Sequence, residues 1–351
     1  MLRLFGPRNP RWPDRLPATP DIDPDRCLLG GDIAAECQLC KNVCPQGAIV
    51  QDEDCLGIDT QACTGCGLCQ PVCPPAAIDM VPALPERPAG PGRAASALAI
   101  CRRSDQPEWA TVPCIHAIDL AALAGLHARG IGQLDIRIGD CARCDLGRPG
   151  GFDDTLALFN AMMESRGLAT LAVDDAQDQP PRLQEYQAPD RPDGARRRLL
   201  LGAVAHAGQE RTWRRQALVR LLLNRPAGDG EARCQAVPHI DAEACIGCDM
   251  CTRVCPEGAI RLVKNDTTGA AYELVPDACS GCGLCAAACD SKAIDIEKGG
   301  TGKTGAIALH HLTCAACGAG YHQPCVRVSE SRLCPTCQKT NHHAKLFQVM
   351  P

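Results

Sequence analysis

The apolar residues of this chain fall in short bursts, and one burst recurs. An Ala-Ile pair follows a cysteine run at Ala48-Ile49, Ala77-Ile78, Ala259-Ile260 and Ala293-Ile294. Each pair predicts the start of a short strand that shields the cysteines before it. Between residues 96 and 175 the pattern changes to alternating strands and helices. Residues 96–100 and 111–112 are apolar runs that end at Cys101 and at Pro113-Cys114. Residues 117–129 read as a helix with Ile118, Ala121, Ala122 and Gly125 inward and Gly130 as its stop. Residues 134–138 alternate as a strand, 153–166 read as a helix closed by Gly167, and 171–173 as a further strand. This order predicts a small α/β domain with a parallel sheet.

The intervening stretches read as connections. Residues 1–20 are a Pro/Arg-rich arm, 82–95 a Pro/Gly linker, and 176–233 a second linker carrying a basic helix over 209–225. That helix sets Trp213, Ala217 and Leu221 at four-residue spacing among Arg211, Arg214, Arg215, Arg220 and Arg225. It could dock an acidic partner or simply pack on its neighbour. Residues 299–309 read as a loop. The Gly302-Lys303-Thr304 triplet within it is no phosphate loop, because Glu297 stands where the first glycine belongs and 306–309 look extended.

Composition narrows the class. The 351 residues hold 27 Cys, 33 Gly and 28 Pro but only 3% aromatics, which suits small modules held by metal better than one large apolar core. The first twenty residues lack an apolar h-region and no run approaches 18 apolar residues, so neither a secretory signal nor a membrane span is expected. A reducing cytoplasm then favours thiolate–metal chemistry over disulfides. A formal net charge of −5 argues against nucleic acid as a main partner.

The cysteine spacings carry the chemistry. Cys245, Cys248, Cys251 and Cys255-Pro256 are followed by Cys279, Cys282, Cys285 and Cys289, both runs spaced x2, x2, x3. This resembles the two-cluster bacterial-type ferredoxin family. The resemblance implies one [4Fe-4S] cluster on Cys245, Cys248, Cys251 and Cys289, and another on Cys279, Cys282, Cys285 and Cys255. Zinc would want paired cysteines, not such quartets. Asp290 replaces the usual proline after the last ligand.

A second run of this kind lies at Cys63, Cys66, Cys69 and Cys73-Pro74. Its partner is irregular: Cys37, Cys40 and Cys44-Pro45 are in place, but Ala34 occupies the expected first position. An Ile-Asp lead-in precedes Cys63 and Cys245, and the same lead-in, Ile22-Asp23, precedes Cys27. Cys27, Cys37, Cys40 and Cys73 are therefore expected around one cluster and Cys63, Cys66, Cys69 and Cys44 around the other. A three-ligand site, or one that recruits Cys55, is the alternative.

Cys101, Cys114, Cys141 and Cys144 lie past the carboxyl ends of strands, the edge where open α/β sheets bind ligands. The segments VPCIHAIDLAALAGLHARGI and GDCARC resemble the delta-subunit family that links methanogen hydrogenases to heterodisulfide reductase. That resemblance implies a [2Fe-2S] relay and a protein partner; zinc or unligated thiols are the alternatives. In the tail, Cys314, Cys317, Cys334 and Cys337 form two Cys-x2-Cys pairs resembling a zinc ribbon, expected to hold one zinc. With His322 and Cys325 between them, the series also looks like part of a RING- or PHD-type finger, but that pair lacks a mate.

The expected architecture is thus an α+β multidomain chain: a ferredoxin-like module over 21–81, the α/β domain over 96–175, a second ferredoxin-like module over 234–298, and a finger over 310–351. No dinucleotide fingerprint or nucleophile–base arrangement is present. The expected role is a cytoplasmic electron-transfer protein or subunit with four [4Fe-4S] clusters, serving a hydrogenase, formate dehydrogenase or heterodisulfide-reductase-like complex. A redox-responsive regulator, or a thiol-dependent enzyme using the middle cysteines, is the alternative.

Overall fold

Each recurring Ala-Ile pair does open a strand, and the strands set out the two halves of the molecule. The computed structural model describes residues 18–30, 37–52, 55–146, 151–175, 182–187, 218–224, 230–265, 269–326 and 332–340. They divide into two units after Arg225.

The first unit begins with β1 (Asp21–Ile22), α1 (Leu39–Val43), β2 (Ile49–Asp52), β3 (Cys55–Ile58) and β4 (Ile78–Asp79). β2 and β3 form a hairpin, and β1 pairs antiparallel with β4, Ile22 opposite Ile78. The chain then enters a four-stranded sheet. β5 (Glu86–Arg87) lies antiparallel on β6 (Ser96–Ile100), and β7 (Gln133–Arg137) and β8 (Ala172–Asp175) follow in parallel. Helix α2 (Leu120–Ala128) connects β6 to β7, and α3 (Gly151–Glu164) connects β7 to β8.

All five residues of β6 are buried, so both faces of the sheet are covered there. Ala97 and Ala99 join a core that runs without a break from Cys40, Ile49, Leu68 and Ile78 to Leu123, Leu126, Phe159 and Met162. Leu98 and Ile100 lie on the opposite face against Tyr186. The Tyr186 hydroxyl donates to the buried Asp135 carboxylate, which Arg87 also approaches at 3.4 Å.

Several expectations change here. Residues 82–95 are not a bare linker: Leu84 is buried and Glu86–Arg87 is a strand. Residues 182–187, placed in the second linker, return to the sheet through Tyr186 and the Glu86–Gln187 bridge. Residues 111–112 form no strand, only a bridge between Val112 and Cys101. The buried positions of α2 are Ala121, Leu123, Ala124 and Leu126, whereas Ala122 and Gly125 are only half-buried. The one-sided face expected for α2 fails because this helix is apolar nearly all round. Of the basic helix, residues 218–223 are helical with Leu218 and Leu222 buried; Trp213, Ala217 and the arginines before them lie outside the described residues.

The second unit contains β9 (Ala232–Arg233), β10 (Ala236–Ile240), α4 (Met250–Val254), β11 (Ile260–Asn265), β12 (Gly269–Leu274), α5 (Leu284–Ala287) and β13 (Ile294–Lys298). It continues with β14 (Thr301–Gly302), β15 (Gly305–Thr313), β16 (Gly320–Pro324) and α6 (Pro335–Thr340). β10 pairs with β13, and β11 with β12, both antiparallel, as β1 pairs with β4 and β2 with β3. The expected loop over 299–309 is largely strand. β14 pairs with β9, and β15 adds to β12 to build the sheet β11-β12-β15-β16. The tail therefore grows out of the ferredoxin-like sheet and is not a separate knob. Among the described residues, no helix is long and apolar enough to cross a membrane.

Candidate metal centres

One turn occurs four times. After Cys44, Cys73, Cys255 and Cys289 the chain reverses so that the amide of the residue three further on donates to the cysteine carbonyl, at 2.9–3.3 Å. That residue has positive φ in every case: Gly47 at 61°, Ala76 at 52°, Gly258 at 61° and Lys292 at 52°. The turn aims the next amide at sulfur. Ala48, Ala77, Ala259 and Ala293 donate N–H to the Sγ of Cys44, Cys73, Cys255 and Cys289 at 3.3, 3.3, 3.2 and 3.3 Å. A backbone N–H on a cysteine sulfur stabilises negative charge there and is one means by which a protein sets a cluster's potential. Asp290 makes the same turn that Pro45, Pro74 and Pro256 make elsewhere.

A second device precedes the cysteine runs. Asp23, Asp59 and Asp241 each accept a backbone N–H two residues on, at 2.9–3.1 Å, and their carbonyls accept from Cys27, Cys63 and Cys245 at 2.9–3.1 Å. Their own amides donate to Ala77, Ala48 and Ala293, at 2.8–2.9 Å. Val275, in the corresponding place before Cys279, donates to Ala259 at 2.8 Å. The Ile-Asp lead-in is thus an Asx turn that docks the start of one cysteine run onto the end of the other. Cys27 occupies the same turn as Cys63 and Cys245.

Burial and neighbouring sulfurs raise several of these thiols. Burial raises the Cys40 thiol, with Cys37 and then Cys27 adding to the shift. Burial pushes Cys73 up to about 11, with Cys40 and Cys27 contributing. Cys69 rises to about 12 through burial, with Cys66, Cys40 and Cys63 nearby. In the second unit burial lifts Cys251 to about 12 beside Cys245, Cys248 and Cys289, and Cys285 to about 12 beside Cys282, Cys255 and Cys279. All of these cysteines are buried or half-buried. Cys55 lies on β3, and its side chain lies outside the described residues.

Cys101, Cys114, Cys141 and Cys144 line one cavity together with Leu68 and His116. Cys101 is held down to about 6, chiefly by the hydrogen bond from Cys114, whose own thiol is raised. The Phe152 amide donates to His116 Nδ1 at 3.1 Å, which leaves the ring proton on Nε2, and Nε2 is buried without a partner. Nothing in the sequence pointed to His116. Leu68 belongs to the loop between Cys66 and Cys69. A Cβ on its neighbour Gly67 would come within 3.0 Å of Ala117 and 3.2 Å of Pro113, so this loop packs directly on the α/β domain.

The sulfurs of Cys314, Cys317, Cys334 and Cys337 all lie within 4.8 Å of one another. A tetrahedral Zn²⁺ with Zn–S bonds of about 2.3 Å asks for sulfurs roughly 3.8 Å apart, so the set fits a single ion. The Cys317 amide and then the Cys334 amide, the latter 3.2 Å from Cys314 Sγ, hold the Cys314 thiol well below its usual value. Among the described residues this is the one group of three or more such side chains with all ligand atoms that close. Neither His322 nor Cys325 belongs to it. Cys325 is exposed, and His322 Nε2 lies 2.7 Å from Asp249 Oδ1.

Asp249 is the other residue the spacing did not reveal. In the loops of Cys66–x2–Cys69 and Cys282–x2–Cys285 the residue after the first cysteine is Gly67 or Gly283, with φ of 76° and 80°. Asp249 stands there in the third loop with φ of 63°. A non-glycine residue in this region costs about 1 kcal/mol. Hydrogen bonds from Tyr272 Oη at 2.6 Å and with His322 offset that cost.

These features define iron–sulfur modules of the ferredoxin type. Residues 244–293 match the 4Fe-4S dicluster domain family, and residues 34–84 match the LdpA Fe-S cluster-binding domain family. The second match contains seven of the eight cysteines expected to act in that module and begins after Cys27. No curated protein matches the chain.

Proposed function

We propose that this protein is an electron-transfer protein, or subunit, that carries four [4Fe-4S] clusters and one zinc ion. The observation that carries the reading is the fourfold turn, in which an alanine amide bonds the sulfur of each cross-over cysteine. When bound, each cluster takes up and releases one electron. The chain's own residues supply the thiolates, the N–H donors that stabilise them, and the apolar cover from Ile49, Ile78, Ile260 and the other strand residues. Cys27, Cys37, Cys40 and Cys73 would hold one cluster and Cys63, Cys66, Cys69 and Cys44 the next. Cys245, Cys248, Cys251 and Cys289 would hold the third, and Cys279, Cys282, Cys285 and Cys255 the fourth. Cys314, Cys317, Cys334 and Cys337 would hold zinc.

The α/β domain adds a fifth centre in this reading. Its four thiols line one cavity, and the delta-subunit resemblance assigns them a binuclear [2Fe-2S] unit. Its cavity shares Leu68 with the Cys63–x2–Cys66–x2–Cys69 loop, and His116 Nε2–H is free to donate to its occupant. Electrons would pass between this centre and the first module, and a partner oxidoreductase of the hydrogenase, formate dehydrogenase or heterodisulfide-reductase type would dock at the α/β domain. Anaerobic reconstitution followed by reduction with dithionite and reoxidation by an acceptor tests the function. Reversible bleaching is expected; a protein that binds iron but cannot be cycled would overturn it.

The placing of Cys101 and Cys114 side by side in this cavity also favours a second reading, thiol chemistry there. Alkylation that abolishes an activity while leaving the four-iron clusters intact would select it.

A further inference from the structure

Among the described residues, the finger contacts of the second unit gather at one cluster site. Leu309 and Ile307 of β15, the strand that leads into the finger, pack in one apolar cluster with Cys245 and Cys289 around the fully buried Tyr272. His322 of β16 meets Asp249, inside the loop that holds Cys248 and Cys251, at 2.7 Å. A Cβ on Gly247 would come to 2.0 Å from the His322 carbonyl, so the finger backbone lies directly on the same loop. On α6, Lys339 pairs at 2.6 Å with Asp290, the residue after Cys289. Every one of these contacts falls on the set Cys245, Cys248, Cys251 and Cys289. Among the described residues, the neighbouring cavity, lined by Cys255, Cys279, Cys282 and Cys285, has no lining residue beyond Ile296.

We propose that the finger is a lid on the cluster of Cys245, Cys248, Cys251 and Cys289, with His322 as the positioning residue that latches it to Asp249. This deepens the reading above and rests on a cluster at that site. Asp at position 249, where two sister loops have glycine, is what the latch requires: a glycine would relax the loop but offer His322 nothing. The zinc ion then has a task beyond local folding, because it fixes the β16 end and α6 over the cluster. Electrons would enter and leave this module through the neighbouring cluster of Cys255, Cys279, Cys282 and Cys285, whose cavity the described part of the finger does not line.

The test compares wild type with Asp249→Gly and His322→Ala, all anaerobically purified and assayed first for iron and zinc, then exposed to dioxygen. Both variants are expected to lose one cluster's worth of iron several-fold faster than wild type while zinc stays bound, and His322→Gln, which keeps a donor, should restore part of the protection. Glycine suits the Asp249 backbone, so Asp249→Gly keeps the loop folded. Iron loss that is unchanged in both variants, or accelerated equally at all clusters, would overturn the lid. A wild-type protein that lacks iron at this module would instead overturn the cluster reading on which the lid rests.

Discussion

Gln70 and Asp119 join the first iron–sulfur module to the α/β domain. The Gln70 amide Nε2 donates to Asp119 Oδ2 at 2.9 Å, while its Oε1 accepts the buried amides of Met80 and Val81, both at 2.8 Å. Asp119 also caps α2 by accepting from Ala122 at 2.7 Å. One side chain thus ties the exit from Cys69, the end of β4 and the start of α2. With Leu68 and Gly67 packed beside it, this join makes the module and the domain one body. Gln70→Leu would leave two buried amides without an acceptor, at about 1–3 kcal/mol each. Urea unfolding of the variant should show a loss of that order; unchanged stability would mean the join is carried elsewhere.

Cys27 lies upstream of the matched family segment, yet it shares its turn with Cys63 and Cys245. Cys27→Ser is expected to cost the chain about four iron atoms, one cluster's content. Iron content equal to wild type would assign the fourth ligand of that site to another residue.

Asp290 makes the turn that prolines make after Cys44, Cys73 and Cys255. Its ion pair with Lys339 joins two exposed side chains and contributes little. Asp290→Pro should therefore fold normally and gain up to about 1 kcal/mol from a less flexible unfolded chain. Thermal unfolding checks this, and a clear loss of stability would show that the aspartate is needed.

Metal-free protein should be sensitive to alkali. Cys69, Cys251 and Cys285 rise to about 12 and Cys73 to about 11, against a usual thiol value of 9.0. Above pH 9 the unfolded chain loses protons that the folded chain keeps, so the contribution of these thiols is full below that pH and is lost as pH climbs toward 12. The urea midpoint of the metal-free chain, followed from pH 8 upward, should fall steadily. A flat profile would mean that these thiols are not buried in the folded state.

The repeated turns were legible because the Ile-Asp lead-in and the Ala-Ile pair are local features, each tied to a turn within five residues of a sulfur. The lead-in therefore marked the turn at Cys27 from across an insertion. What stayed hidden depends on distant partners. Residues 82–95 look like a linker because Pro and Gly dominate them, yet Leu84 and Glu86 are held by a sheet formed later in the chain. His322 stood in a finger-like series without a mate, and only the pairing of β12 with β15 and of β15 with β16 carries it to Asp249. His116 acquires its meaning from the Phe152 amide, 36 residues away. The one local clue that could have been read was Asp249, standing where two sister loops have glycine.

Iron and zinc per chain, measured on anaerobically purified protein, test the central claim most directly. The account predicts about 18 iron atoms and one zinc, from four [4Fe-4S] clusters, a [2Fe-2S] centre and the finger. About 16 iron atoms would leave the α/β cavity without a cluster but keep the rest. About 8 would mean that one module is degenerate, and would contradict the reading of this protein as a four-cluster electron carrier.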